Sequence, residues 1–74
     1  MTIENIVNLS MIPPVMSQKQ FALFTGVSDD TVRGWVEGRT LPVVKIGKQR
    51  FINVKMLSGE LETGKTIFVR GDYE

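Results

Sequence analysis

At 74 residues, with nine lysines and arginines against eight aspartates and glutamates and a formal net charge of +1, the chain has room for one domain and one small core. It contains no cysteine and no histidine, which excludes a disulfide framework, the usual Cys/His zinc sites, thiol nucleophiles and the commonest acid–base side chain. No run approaches the roughly 20 apolar residues that span a bilayer, and no basic region precedes the first apolar residues as it would in a secretory signal. The expectation is a single domain over residues 1–74, with its core at 15–61 and flexible ends at 1–12 and 71–74.

Residues 1–12 carry Ile3, Ile6, Val7, Leu9, Met11 and Ile12, at a spacing that fits a short helix or an irregular strand equally. Pro13-Pro14 stops any helix and favours extended backbone at Ile12. Val15-Met16 is expected to enter the domain as a short extended segment. Ser17-Gln18-Lys19-Gln20 fits a capping box, and Met16 and Phe21 stand at the staple positions across it. Phe21, Ala22 and Phe24 are predicted on or near one helix face, with Leu23 on its flank. Gly26 ends this helix.

Ser28 opens a second helix after the tight turn Thr25-Gly26-Val27. Val27 and Val32 form its staple. Asp29 and Asp30 sit in the first turn, where the helix dipole favours anions. Val32, Trp35 and Val36 follow i, i+3, i+4 spacing and are predicted to face the first helix. Gly38 is predicted to end this helix. The opposite face carries Asp30, Arg33, Gly34 and Glu37, with Ser28 and Thr31 near its start.

The run Leu41–Ile52 reads as a hairpin around Gly47-Lys48, a two-residue turn with glycine first; a three-residue turn through Gln49 is the alternative. Its register is open, and a one-residue slip would exchange its faces. Asn53 caps a third short helix through Val54, Leu57 and Leu61, which Gly59 interrupts or ends. Thr66–Arg70 is predicted as a final strand.

Charge is unevenly spread. Residues 33–55 hold Arg33, Arg39, Lys45, Lys48, Arg50 and Lys55 against Glu37 alone, whereas residues 1–32 and 56–74 are each net acidic. Two helices joined by a tight turn, with a cationic hairpin beside them, form a device for entering a DNA groove and gripping phosphates. The second helix is the candidate reader of bases. Thr31 can donate, accept or touch a thymine methyl, and Arg33 can pair bidentately with guanine. Gly34 costs about 1 kcal/mol of helix stability relative to alanine, which suits close backbone approach to DNA; the structural alternatives are that Gly34 relieves crowding and that Arg33 merely binds solvent or Glu37. Lys45, Lys48, Gln49 and Arg50 are the candidate phosphate contacts of the hairpin, whose structural alternative is a solvated edge strand. Asp29 and Asp30 oppose phosphate unless aimed away from it or at a cytosine amino group.

Gly59-Glu60-Leu61-Glu62-Thr63-Gly64-Lys65-Thr66 matches the phosphate-loop pattern letter for letter. That loop needs a following helix whose N-terminus faces the phosphates, and here Ile67-Phe68-Val69 follows as a strand-like run. No nucleotide is expected; a hairpin turn at Thr63-Gly64-Lys65 is. Glu60 and Glu62 have no nucleophile or base constellation beside them, so no enzyme, no catalytic residue, no metal and no cofactor is expected. Trp35 and Phe21 could stack on single-stranded bases, but their spacing is that of core residues.

The segment from Ser28 to Asn53, with Thr31-Val32-Arg33-Gly34-Trp35, the junction Gly38-Arg39-Thr40-Leu41-Pro42, the basic hairpin and the asparagine-initiated helix, resembles the winged helix-turn-helix of MerR-like excisionases, and most closely the Cox and Apl regulatory proteins of temperate phages. The likeness covers residues 15–61. It implies an α+β winged helix-turn-helix: two helices, a basic hairpin wing and a short third helix. It also implies a phage regulator that binds direct repeats in duplex DNA, bends the attachment region, directs integrase toward excision and represses the lysogeny promoter. Copies would line up head to tail on the DNA, in the cytoplasm of the host bacterium, on the nucleoid or prophage DNA. By this carry-over Ser28, Thr31, Arg33 and Gly34 read the major groove, and Lys45, Lys48, Gln49 and Arg50 form the wing; Arg39 joins them from the basic cluster. A plain transcriptional regulator without a recombination role, and a protein-interaction module on the same scaffold, are the alternatives.

Overall fold

Three side-chain caps set the helices. In a computed structural model that describes residues 12–74, Ser17, Ser28 and Asn53 each accept a bond from the backbone N–H three residues on, at 3.0, 3.1 and 3.0 Å. This occupies one of the free donors at each helix start. The elements are β1 (Val15–Ser17), α1 (Gln18–Thr25), α2 (Asp29–Glu37), β2 (Val43–Ile46), β3 (Gln49–Asn53) and α3 (Val54–Glu62). The chain is α+β, with helices against a three-stranded antiparallel sheet in the order β1-β3-β2. The expectations for residues 1–11 lie outside the described residues. No helix among the described residues is long and apolar enough to cross a membrane.

Gly26 ends α1 in the left-handed region at φ 79, donating to the Ala22 carbonyl at 2.9 Å, as expected of a glycine there. The hairpin closes with Ile46 opposite Gln49, so Gly47-Lys48 is a two-residue turn, and Gly47 has φ 63. A positive φ at the first turn position alone is the arrangement that favours glycine first. Met16, Ala22, Val32, Val36, Leu41, Ile52 and Val54 form the buried core, with Phe21, Val27, Trp35, Val43 and Leu57 packed on it. Both staple pairs lie in this cluster. Phe24 does not join it as predicted: it is 67% exposed, and Leu23 is 73% exposed. Ala22 faces the core, and a residue two positions on lies about 200° around the helix.

Gly38 caps the end of α2, as expected. Gly38 is right-handed at φ −84, and Arg39 takes the left-handed conformation at φ 58. Arg39 N–H donates to Val36 and Thr40 N–H to Trp35, the paired bonds of a Schellman ending. The conformation costs a non-glycine residue roughly 1 kcal/mol. Gly38 gives room to another side chain: a Cβ there would lie 2.9 Å from Arg70 Nη1 and 3.1 Å from the Gly34 carbonyl oxygen.

The C-terminal segment is a correction. No strand forms over Thr66–Arg70, and Thr63-Gly64-Lys65 is a helix ending rather than a hairpin turn. Gly64, at φ 103, donates to Leu61, and Lys65 N–H donates to Glu60. The Gly64 and Lys65 amides, which a phosphate loop would turn on an anion, are therefore occupied, and Lys65 Nζ lies 3.0 Å from Asp72. Residues 71–74, expected to fray, return to the body. Gly71 N–H donates to the Gly38 carbonyl at 2.8 Å and Tyr73 N–H to that of Arg39 at 3.0 Å. The polar ends of this segment found partners at the α2–β2 junction, which no local pattern announces.

Asp72 fastens the segment by accepting from Val69 N–H and Lys65. Those bonds, the backbone one first, hold its carboxyl below the usual 3.8. A lowered carboxyl contributes stability that is present above its unfolded value and is lost as pH falls through its folded one. Melting temperature is therefore expected to drop between about pH 5 and pH 2. Asp72→Asn should lower it at pH 7 and make the acid drop shallower, which thermal melts across that range would check. Tyr73, desolvated and donating to Glu60 at 2.7 Å, is pushed up to about 12 and keeps its proton throughout.

Candidate nucleic-acid interface

The outer face of α2 is polar because its inner face is consumed by Val32 and Val36, both fully buried. At the helix start the hydroxyls of Ser28 and Thr31 lie 2.8 Å apart and bond each other. Both residues are exposed. Arg33 pairs with Asp30 rather than with Glu37: Nη1 stands 3.3 Å from the carboxylate, with the two side chains 59% and 86% exposed. So exposed a pair contributes little to stability, and the contact leaves the rest of the guanidinium fork open.

Gly34 lies on the same face. Among the described residues a Cβ built there meets no atom of another element within 4 Å, so the glycine relieves no crowding among them. Its helix cost of about 1 kcal/mol has no return among the described residues.

The β2–β3 hairpin stands beside α2. Arg33 and Glu37 of α2, Lys48, Gln49, Arg50 and Phe51 of the hairpin, and Ser17 and Gln18 at the start of α1 line one open groove of about 550 Å³. Gln18 Nε2 donates to the Arg50 carbonyl at 3.1 Å and so ties the hairpin to the base of α1. Lys45 is directly opposite Arg50 across the two strands. Like charges facing each other destabilise a sheet pair, and an anion between them would remove the repulsion.

Of the residues singled out from sequence, the fold thus gathers Arg33, Lys48, Gln49 and Arg50 in one groove. Ser28, Thr31 and Gly34 lie along the same helix but do not line it. Arg39 sits at the far end of α2, half-buried, with its carbonyl accepting from Tyr73. Lys45 is exposed on β2. Ser17, Gln18, Glu37 and Phe51 were missed as groove residues. For Glu37 the signal was its place four residues after Arg33; for Ser17 and Gln18 it is the antiparallel pairing of β1 with β3, which sequence spacing does not reveal.

The chain is similar to the "10.1 kDa protein" of Pseudomonas phage Pf1, with 45% identity over 64 residues that cover 82% of this chain and 71% of that protein. No family model matches the chain, and no solved structure matches it.

Proposed function

The chain belongs to the family of the Pf1 10.1 kDa protein, and from that premise we propose that it is a phage regulator that binds duplex DNA through a winged helix-turn-helix. In this reading α2 enters the major groove, with Ser28, Thr31, Arg33 and Gly34 toward the bases. The hairpin is the wing, and Lys45, Lys48, Gln49 and Arg50, with Arg39 behind them, hold phosphates. One observation carries it: Arg33 and the cationic hairpin tip line the same groove, beside a helix face left bare at Gly34.

The resemblance to Cox and Apl proteins extends the proposal. The protein acts inside the host bacterium as an excisionase that bends attachment-site DNA for integrase, and as a repressor of the lysogeny promoter. Head-to-tail self-association on direct repeats agrees with the exposed apolar side chains Leu23, Phe24, Ile67 and Val69, which a neighbouring copy would cover.

A fluorescence titration with attachment-region duplex tests the reading. Each neutralised phosphate adds about 0.9 to the slope of log K against log salt, so five or six contacts give a slope near −5. Absence of binding at low salt by folded protein would overturn it. Binding without any effect on integrase-driven excision would reduce it to a plain transcriptional regulator.

A further inference from the structure

Glu37 is an acid in a groove otherwise charged by three cations, Arg33, Lys48 and Arg50. It is exposed, and among the described residues no cation lies within 4.0 Å of it, because Arg33 pairs with Asp30 instead. A free carboxylate there repels phosphate. It also only accepts hydrogen bonds. In the major groove cytosine presents the N4 amino donor, adenine presents a donor beside an acceptor, and guanine and the thymine carbonyl present acceptors alone. A carboxylate facing base edges therefore favours cytosine, tolerates adenine and rejects guanine and thymine.

Resting on the duplex-DNA reading, we infer that Glu37 is a specificity-determining residue that selects cytosine through its amino group, at a position set by its distance from Arg33. Four residues of helix rise about 6 Å, and stacked base pairs rise about 3.4 Å. The cytosine lies about two base pairs from the guanine that Arg33 contacts. The same carboxylate weakens binding to sequences lacking the amino donor, so it sharpens discrimination while lowering general affinity.

Selection from a randomised duplex pool by the full chain, in wild-type, Glu37→Gln and Glu37→Ala forms, tests this. The wild type should enrich guanine and, about two base pairs away, cytosine by roughly tenfold or more. Glu37→Gln should move that second position toward adenine, which a glutamine reads through two bonds. Glu37→Ala should flatten it, bind random duplex more tightly and leave the guanine position unchanged. Identical preferences at every position in all three proteins would overturn the inference. A wild type that retains duplex without enriching any sequence would overturn it too, while leaving duplex binding intact. No retained duplex at low salt would overturn the reading on which it rests.

Discussion

Gly34→Leu should make the protein more stable and nearly abolish sequence-specific DNA binding. The first half follows from the helix alone. Leucine, just below alanine in helix propensity, is favoured over glycine by about 0.6–0.8 kcal/mol in a helix interior, and the side chain enters open space, since among the described residues no atom of another element lies within 4 Å of a Cβ there. For a domain of this size that corresponds to a rise in melting temperature of about 3–6 °C. The second half follows from the proposed docking. A helix that reads base edges must bring its backbone close to them, and a leucine on the reading face holds α2 away. Contacts to bases are then lost together, leaving the phosphate contacts. Since specific binding exceeds nonspecific binding by about 10³-fold or more, affinity for the cognate site should fall by a factor of that order. Affinity for random duplex should change far less. Thermal melts and titrations on one preparation decide the matter. A more stable protein with undiminished specific affinity would place DNA elsewhere on the surface.

The features legible in sequence were those fixed by chemistry within four or five residues. A serine or asparagine whose oxygen reaches the third following N–H is such a feature, and all three caps form. So is the hairpin turn at Gly47-Lys48. What sequence hid depended on partners far along the chain. Arg39 adopts the left-handed conformation although glycine stands next to it, and Gly38 instead packs against the distant Arg70. The run Thr66–Arg70 has strand-like composition but meets no strand; its neighbours bond instead to Gly38 and Arg39. The candidate groove was half legible. Its cations could be counted, and their placement beside Arg33 depends on strand register, which alternation alone leaves open. Glu37 reads from sequence as the helix ion-pair partner of Arg33, a role that Asp30 fills.

The double substitution Lys48→Gln with Arg50→Gln should separate electrostatic grip from folding in the same way. Two lost phosphate contacts remove about 1.8 from the magnitude of the salt slope, taking it from about −5 to about −3. Measured from a 1 M reference, the same exponent lowers affinity by roughly 60-fold at 0.1 M salt. The loss should be equal for cognate and random duplex, because phosphates carry no sequence information. The fold should not suffer. Lys48 occupies an exposed turn position and Arg50 an exposed strand position, and the bond from Gln18 to residue 50 uses a main-chain carbonyl. Removing Arg50 also removes a like charge directly opposite Lys45, a repulsion of about 0.2–1 kcal/mol by the general scale of cross-strand pairs. Stability should therefore stay level or rise while binding weakens. Gly34, the left-handed Arg39 and the facing pair Lys45 and Arg50 share this signature: each is a poor choice for the isolated fold and a reasonable one for a surface that closes on a polyanion. If the double variant instead melted lower and bound DNA with an unchanged salt slope, those cations would belong to the architecture, and the hairpin would not be a wing.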